Sequence, residues 1–298
     1  MKRSIPGIVA SVVLAAAALA APAAIAQAVV VGGKAFTEQQ IMTAMTVQLL
    51  KAKGFAPERK AGMGSAAVRA ALENGQVDVY WEYTGTGLTV FNKIPDKFDT
   101  AEAAYRKIKE VDAAKGITWL NMSAVNNTYA FAMNKDEAQK RGIVTMSDFA
   151  KAVKADPKFT FASNAEFYAR PDGLPGWQTA YGFEFERDNV KRMDTGLTYS
   201  ALKDRQVDSA VVFATDGRIP AFNFVVLKDD KNYGAPYNLT PVVRKEILDK
   251  NPKLAEPLNA LSAKLNDENM AKLNASVDVE KKSVEEVAEG FLKANGLI

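Results

Sequence analysis

Several aromatic side chains and two cationic ones stand where short apolar runs of this 298-residue chain give way to glycine-rich segments. The cations are Lys34 and Arg170, and the aromatic residues include Tyr83 and Tyr129. The face of an aromatic ring attracts a cation that carries no hydrogen-bond donor, and a Lys or Arg side chain binds a carboxylate. These residue types favour the binding of a quaternary ammonium, or of a zwitterion that also carries a carboxylate.

The first of these segments runs over residues 32–39, where a strand-like run ends in two glycines and a helical pattern begins. A helix N-terminus supplies free N–H groups and positive potential, and Lys34 adds a full charge, so the segment suits an anion. The spacing is not that of a Walker A phosphate loop. A solvated surface lysine remains the alternative interpretation of Lys34.

Three further segments carry polar or aromatic residues at comparable positions, namely 81–87, 126–129 and 167–176. Two glycines and two threonines after Tyr83 allow close approach of a ligand to the backbone. Arg170 precedes a turn rich in proline and glycine, where it is placed to form a bidentate pair with a carboxylate. The alternatives are that Tyr83 and Tyr129 are ordinary core aromatics and that Arg170 forms a structural ion pair with Asp172 or Asp216.

The composition excludes several classes of function. The chain has 38 Lys and Arg, 35 Asp and Glu, and neither His nor Cys. Without Cys there is no disulfide, thiolate nucleophile or Cys-ligated metal, and without His there is no Ser-His-Asp triad. The near-balanced charge gives no nucleic-acid footprint. We therefore expect no cofactor, no metal site and no nucleic-acid partner.

Residues 1–26 have the pattern of a secretory signal peptide: a basic start, an uncharged apolar run and a small-x-small cleavage site. No Cys follows, which excludes a lipoprotein anchor. After Val29, strand-like runs alternate with helical patterns, which predicts an α/β fold with a largely parallel sheet. Thr37 is the predicted N-cap of the first helix, and the chain after Pro241 is predicted to be helical. The predicted strands are 29–31, 77–82, 117–120, 128–133, 159–162, 209–213 and 222–227, and the predicted helices include 101–114, 173–181 and 198–204.

An internal repeat relates residues 71–87 to residues 201–217 at an offset of 130, with five identities in register. Each copy has a helix, a tight turn, a buried strand and a loop of small polar residues. The repeat predicts two α/β lobes of similar build, in which Tyr83 and Phe213 occupy equivalent positions at strand ends facing a shared cleft. Chance similarity of two helix–turn–strand units is the alternative.

The run Gly33-Lys34-Ala35-Phe36-Thr37-Glu38-Gln39 resembles the G-S-K-x-F-T-E-Q opening of the osmoprotectant-binding proteins of ABC importers, the glycine betaine, choline and carnitine group. The run 82–87 resembles their E-Y-T-G-T signature. Matching motifs follow in the same order at 127–130, 170–176, 215–219 and 236–238, so that the resemblance covers nearly the whole chain after residue 26.

The resemblance implies a type II periplasmic binding protein fold, in which two α/β lobes are joined by two crossover hinge segments and trap a ligand by hinge closure. Lobe one is expected to comprise residues 27–125 and 236–298, and lobe two residues 126–235. The crossovers are expected near Val125 to Thr128 and near Asp230 to Pro236.

The resemblance also implies a set of ligand-binding residues. The trimethylammonium group would lie in an aromatic cage, and the carboxylate would be held by cationic and polar groups. Phe213 takes a cage position where some relatives have Tyr, and Trp81 stands where relatives commonly have Pro. The cage residues are Tyr83, Tyr129, Phe213 and Tyr237; the carboxylate and polar candidates are Lys34, Thr86 and Arg170, with Gln39 and the backbone carbonyl of Asn127.

On this basis we expect a monomeric periplasmic receptor that captures a quaternary amine or betaine and delivers it to the membrane subunits of an ABC permease, without catalysing a reaction. The same fold binding a different zwitterion or an amino acid is the alternative. A secreted hydrolase or lyase is disfavoured, because neither a G-x-S-x-G elbow nor an S-x-x-K motif occurs after residue 26.

Overall fold

The computed structural model of the chain describes residues 28–94, 98 and 100–298, and the predicted signal peptide lies outside them. The strands of the described residues form two five-stranded sheets, with the orders β2-β1-β3-β10-β4 and β7-β6-β8-β5-β9. The strands are β1 (Ala28–Lys34), β2 (Ala56–Met63), β3 (Val79–Tyr83), β4 (Ile117–Trp119), β5 (Tyr129–Asn134), β6 (Phe161–Ser163), β7 (Val190–Arg192), β8 (Ser209–Phe213), β9 (Phe224–Val226) and β10 (Leu239–Arg244).

Helices cover the faces and ends of both sheets. A one-turn π-helix (Thr86–Phe91) follows β3 directly. The α-helices are α1 (Thr37–Ala52), α2 (Ser65–Glu73), α3 (Ala101–Ala113), α4 (Lys135–Arg141), α5 (Met146–Ala155), α6 (Ala165–Ala169), α7 (Leu174–Tyr181), α8 (Thr195–Lys203), α9 (Arg218–Ala221), α10 (Lys245–Lys250), α11 (Ala255–Ser262), α12 (Asp267–Asp278) and α13 (Val284–Ala294).

Both sheets are mixed, so the expectation of a largely parallel sheet is wrong. In the first sheet β1 pairs in parallel with β2 and β3, but β10 lies antiparallel between β3 and β4. In the second sheet β6 pairs in parallel with β7 and β8, but β5 lies antiparallel between β8 and β9. Each antiparallel strand begins just after the chain has passed from one sheet to the other.

The expectation that the chain turns helical after Pro241 is wrong at its start, because β10 runs to Arg244 before α10 begins. Five of the six residues of this strand are buried. Pro241 lies opposite Trp81 in the register with β3, inside the strand. The continuous burial on both sides stabilises an extended segment that the proline, taken alone, argues against.

Two edge strands were not predicted. β2 has the sequence APERKAGM, and most of its residues are exposed. It has no alternation of apolar and polar residues, and it forms because its backbone pairs with β1. β7 has only three residues and pairs with β6. Backbone pairing at a sheet edge is a tertiary effect that leaves little trace in a side-chain pattern.

The repeat at offset 130 is a structural repeat. α2 spans residues 65–73 and α8 spans 195–203, while β3 spans 79–83 and β8 spans 209–213. Even the turns correspond, because Gly75 and Arg205 both adopt a positive φ, of 73° and 55°. The hypothesis of two halves with similar build is therefore confirmed at the level of these elements.

Each sheet has its own apolar core. That of the second sheet is rich in phenylalanine, with Phe131, Phe149 and Phe161 fully buried. The chain passes between the sheets twice, from β4 to β5 and from β9 to β10, and a bridge between Asn126 and Asn238 ties the two passages together. Among the described residues, every helix is too short or too polar to cross a lipid bilayer.

Candidate functional site

The two halves line a cavity of about 190 Å³ that has an aromatic wall on one part of its surface. Five rings follow one another along this wall. Phe36 stacks with its ring centroid 6.3 Å from Tyr83 and 5.1 Å from Phe213. Tyr129 lies 5.0 Å from Phe213 and meets Tyr237 edge-on at 6.0 Å. The result is a continuous arc of π faces, called the ring arc below: Tyr83, Phe36, Phe213, Tyr129 and Tyr237.

The ends of secondary-structure elements position these rings. Tyr83 is the last residue of β3 and Phe213 the last of β8, while Tyr129 is the first residue of β5. Phe36 immediately precedes α1, with extended backbone. The predicted N-cap, Thr37, is instead the first helical residue, and its hydroxyl donates to Asp278 over 2.8 Å. The strand ends of both halves thus meet at one place, as the repeat predicted for Tyr83 and Phe213.

Lys34 lines the cavity as the last residue of β1 and is only 3% exposed. Its Nζ lies 2.5 Å from Glu82 Oε1 and 5.0 Å from the centre of the Tyr83 ring. Lys34 is therefore a buried, ion-paired lysine at the wall of the cavity, and the alternative interpretation as a solvated surface residue is wrong.

Arg170 lies behind the ring arc. Its guanidinium carbon is 5.2 Å from the Tyr129 ring centre and 5.6 Å from that of Tyr237. It makes a bidentate pair with Asp172 at 2.6 and 2.8 Å, and it donates to the hydroxyls of both tyrosines and to Glu166. These five hydrogen bonds match the five N–H donors of a guanidinium. In this arrangement Arg170 fixes two rings and forms the ion pair with Asp172 that was the alternative interpretation.

Tyr83 is fixed through its hydroxyl, which donates to Glu38 Oε1 over 2.7 Å and accepts from Gln39 Nε2 at 3.1 Å. Glu38 is almost fully buried, and that burial raises the pKa of its carboxyl above the usual value, against the opposing effect of its hydrogen bonds. Burial also raises the pKa of the Tyr83 phenol, and the Glu38 charge adds to this. The ring is therefore held as a neutral phenol in one orientation.

The remaining predicted residues fall into two groups. Asn127 lines the cavity, with its Nδ2 donating to Glu38 over 3.0 Å. Gln39 and Thr86 are buried behind the wall, Thr86 as the first residue of the π-helix. Trp81 is a core residue that donates from its indole to Thr46. Six of the nine predicted site residues thus line the cavity; Gln39 and Arg170 contact its rings from outside it, and Thr86 is buried without lining it.

Two helices begin at the cavity. Ser65 at the start of α2 and Thr195 at the start of α8 both line it, and they are equivalent positions in the repeat. A helix N-terminus presents unpaired N–H groups and a partial positive charge. Lys34, whose ammonium is also paired with Glu82, lines the same cavity, so that the two helix starts and the lysine together suit an anionic group. A second, larger cleft of about 440 Å³ shares lining residues with this cavity, among them Lys34, Asp194 and Glu166.

Sequence reasoning missed Phe36 and Glu38 as individual site residues, although both lie in the 33–39 run. The signal for Phe36 was its position between a strand end and a helix start, the same position that drew attention to Lys34. Glu38 gave no signal on its own, because a carboxylate in the first turn of a helix is ordinary.

Two α/β halves, each with one mixed sheet, and a cleft between the strand ends define a type II periplasmic binding protein. The chain belongs to the family described as the substrate binding domain of ABC-type glycine betaine transport systems, whose sequence profile matches residues 27–294. The family consists of transport proteins that bind a substrate, and this agrees with the expectation from the motifs.

Individual relatives show the same pattern. The chain is 44% identical over 295 residues to a glycine-betaine-binding protein of Pseudomonas aeruginosa, covering 97% of this chain and 94% of that one. It is 36% identical to the ergothioneine transport permease/ergothioneine binding protein EgtU of Helicobacter pylori, covering 90% of this chain and 48% of that protein. A crystal structure titled glycine betaine/carnitine/choline ABC transporter superposes with a TM-score of 0.73 at 31% identity, covering 90% of this chain and 99% of that one.

Proposed function

We propose that this protein is the periplasmic receptor of an ABC importer, that it captures a quaternary-ammonium compatible solute such as glycine betaine, choline or carnitine, and that it delivers the solute to the membrane permease. The ring arc is the observation that carries this proposal. A trimethylammonium group has no hydrogen-bond donor, so that ring faces are its natural partners, at about 0.5–2 kcal/mol per desolvated contact.

The carboxylate of a betaine would bind beside Lys34, between the first turns of α2 and α8. The first residues of two helices, Ser65 and Thr195, line the cavity with Lys34, and their hydroxyls and free N–H groups are donors for a carboxylate even though Lys34 is also paired with Glu82. We assign Arg170 to the orientation of Tyr129 and Tyr237, because its five donors are already engaged. Thr86 and Gln39 would act through the same supporting layer, and Asn127 through the cavity wall.

Glu166 and Asp194 line the mouth of the cavity and add negative charge. This charge attracts a cation and bears on the choice between ligands, since choline carries a net positive charge and glycine betaine none. The proposal therefore includes both choline and glycine betaine. Their relative affinities measure which matters more for binding, the helix ends that favour a carboxylate or the acidic residues Glu166 and Asp194 that favour a net positive charge.

We further propose that the halves move as the two lobes 27–125 with 236–298 and 126–235, that residues 1–26 direct export to the periplasm, and that the protein acts as a monomer. The two passages near residues 125–128 and 230–236 would serve as hinges. The bridge between Asn126 and Asn238 supports a common hinge axis, since it joins the passages where they run side by side.

The experiment is a calorimetric titration with glycine betaine, choline, carnitine, proline betaine and proline, next to a panel of amino acids. A ligand that binds only the folded state stabilises it by about 2.7 kcal/mol at 100 times its Kd, so that a melting-temperature screen comes first. We expect at least one quaternary amine to raise the melting temperature. If none of the five compounds changes the melting temperature at millimolar concentration, the osmoprotectant proposal is overturned. If only amino acids raise the melting temperature, the alternative ligand class is favoured.

Two alanine variants test the location of the site. Tyr129→Ala removes the ring next to Phe213, and we expect the affinity for the best amine to fall at least tenfold. Phe222→Ala removes a half-buried ring of the second half outside the cavity and serves as the matched control. Equal affinities of the two variants would mean that the amine binds elsewhere.

A further inference from the structure

Glu38 is a buried carboxylate that accepts hydrogen bonds from four different parts of the chain. Its Oε1 accepts from the Tyr83 hydroxyl at 2.7 Å and from Asn127 Nδ2 at 3.0 Å. Its Oε2 accepts from the Thr215 hydroxyl at 2.6 Å and from Asn274 Nδ2 at 3.3 Å. Glu38 is only 2% exposed, and within the described part of the chain no Lys or Arg forms an ion pair with it.

The four donors come from both halves of the molecule. Tyr83 ends β3 of the first sheet, and Asn274 lies on α12, which packs against α1. Thr215 follows β8 of the second sheet, and Asn127 lies in the first passage between the sheets. One carboxylate therefore touches a ring of the cavity wall, the passage between the sheets and the opposite half.

The segment 214–217, called the closing loop below, packs against α12 next to the Glu38 carboxylate. Asn274 Nδ2 also donates to the carbonyl of Thr215 over 3.0 Å. A Cβ placed on Gly217 would lie 2.4 Å from Ala275 Cβ, so that the loop meets the helix without room for a side chain. Arg218, just after the loop, lies 3.3 Å from Asp278 at the end of the same helix.

A buried carboxylate without hydrogen-bond donors is costly, and the cost is offset only when the donors are in place. For Glu38 the set of four donors is complete only when Thr215 of the second half is in contact and the Tyr83 ring stands in the ring arc. Burial raises the pKa of the Glu38 carboxyl, although its four hydrogen bonds act to lower it.

We propose that Glu38 is a positioning residue that couples the aromatic wall of the cavity to closure of the cleft, through its simultaneous hydrogen bonds to Tyr83 and Thr215. This proposal rests on the proposed function, because closure has a purpose only if the cavity holds a ligand. Glu38 itself need not touch that ligand.

The test changes Thr215, which lets Glu38 and the first half stay intact. Thr215→Val keeps the shape of the side chain and removes the donor, whereas Thr215→Ser keeps the donor. A hydrogen bond to a charged group contributes about 1.5–3 kcal/mol. We therefore expect Thr215→Val to lower the affinity for the titrated amine by about 10- to 100-fold. We expect Thr215→Ser to stay within about threefold of the wild type.

If Thr215 had a merely structural role, the valine variant would lose stability, seen as a lower melting temperature of the ligand-free protein, along with its affinity. The serine variant would then recover both properties together. We expect instead a large change in Kd with a ligand-free melting temperature close to that of the wild type. Equal affinity of the valine and serine variants would overturn the proposal.

A second measurement works without any ligand. Because the native chain has no Cys, Ser65→Cys with Thr195→Cys places thiols on opposite walls of the cleft, and a short thiol-bridging reagent joins them at a rate that follows the closed population. We expect Thr215→Val to slow this reaction about 10-fold or more and Thr215→Ser to leave it unchanged. If no amine binds the wild type, the proposed function fails, while this rate still decides whether Glu38 and Thr215 hold the cleft closed; an unchanged rate in the valine variant would disprove it.

Discussion

The loops that follow β3 and β8 occupy equivalent places in the structural repeat, but they are held in different ways. The loop after β3 becomes a π-helix whose Gly87 packs against Trp119 and Ile108 of the same half. Asn92, which follows it, bonds both to the carbonyl of Gly87 and to Asp112. The loop after β8, in contrast, packs its Gly217 against Ala271 and Ala275 of the opposite half.

The helix before each strand also differs between the two halves, although its contacts stay within its own half in both cases. Arg69 on α2 makes a buried bidentate pair with Asp112, at 2.7 and 2.8 Å. The equivalent residue on α8 is Tyr199, whose hydroxyl accepts from the backbone of Phe213 and whose ring stacks under Arg218. The loop after β3 thus packs inside its own half, and the loop after β8 packs against the opposite half. In the closure that we propose, the loop after β3 would stay fixed and the loop after β8 would gain its contacts as the cleft closes. A receptor that traps its ligand by hinge closure needs both kinds of wall.

The largest effect is expected from Asp112→Asn, which breaks the internal support of the first loop. Leaving Arg69 buried without its charged partner should lower the free energy of unfolding by about 3 kcal/mol. Burial alone would raise the pKa of Asp112, but the hydrogen bonds and charge of Arg69 more than offset this and hold it below its usual value of 3.8. The stabilisation is therefore fully present above pH 3.8 and is lost as the pH falls through the lower folded-state pKa.

Urea denaturation of the wild type and of Asp112→Asn at pH 7 and at pH 3 checks this. We expect the difference between them to shrink at pH 3. A difference that stays the same at both pH values would mean that the ion pair is not its source.

Next in size is the contrast between Gly87→Ala and Gly217→Ala. The Cβ at position 87 would lie 2.7 Å from the Trp119 ring, and that at position 217 would lie 2.4 Å from Ala275 Cβ. We expect Gly87→Ala to reduce the free energy of unfolding by about 1–3 kcal/mol, as overpacking does in a core. We expect Gly217→Ala to weaken the binding of the best amine at least tenfold while leaving unfolding nearly unchanged, since the clash would be absent from the open form that we propose for the ligand-free protein.

Calorimetry and urea denaturation of the same two proteins separate these outcomes. Gly290→Ala is the control, because a Cβ there meets no atom within 4 Å. If Gly217→Ala destabilised the ligand-free protein as much as Gly87→Ala does, the closing loop would be a permanent part of the core.

The paired exchange Tyr83→Phe and Phe213→Tyr addresses the rings themselves. Tyr83→Phe takes one donor from the buried Glu38 and one acceptor from Gln39, which should lower the free energy of unfolding by about 1–3 kcal/mol. Phe213→Tyr keeps the π face at a half-buried position, so we expect the Kd of the best amine to change less than about threefold. A large loss of affinity in the second variant would show that a hydroxyl at this position is excluded by the ligand.

The smallest effects concern the two turns with positive φ. Gly75→Ala forces an L side chain into the left-handed region and should cost about 1 kcal/mol in the free energy of unfolding. Arg205→Gly relieves that strain but removes an exposed ion pair with Asp136 and adds chain entropy, and we expect a net change below about 0.5 kcal/mol. Urea denaturation again provides the measurement. Equal and opposite effects of the two substitutions would mean that the turns are energetically alike despite their different residues.

Several elements were predictable because their side chains alone fix them. The strand 209–213 was predicted with the bounds it has, and helix 101–114 was one residue too long. β2 and β10 were missed for opposite reasons. β2 has no apolar side to bury, and β10 contains a proline within an otherwise continuous buried run. In both cases pairing with a neighbouring strand outweighs the local pattern.

The candidate site was predictable as a set of segments and less so as a set of contacts. The motifs brought Lys34, Tyr83, Tyr129 and Phe213 to one cavity, and these residues lie there. Arg170 belongs to the same neighbourhood but lies behind the rings with every donor engaged. A sequence shows which residue types come near each other, and the partner that neutralises a buried charge depends on geometry of a few tenths of an ångström.

The sequence by itself determined the two-half α/β organisation, the repeat at offset 130 and the aromatic and cationic composition of the cavity, because periodicity and motif order are local and survive without coordinates. Only the tertiary structure decided that Phe36 completes the ring arc, that Arg170 is paired with Asp172, and that Glu38 collects donors from both halves. Those outcomes depend on side chains up to 236 residues apart along the chain. Burial then requires hydrogen-bond donors or an opposite charge around each charged group, since a buried charge without either is too costly to keep.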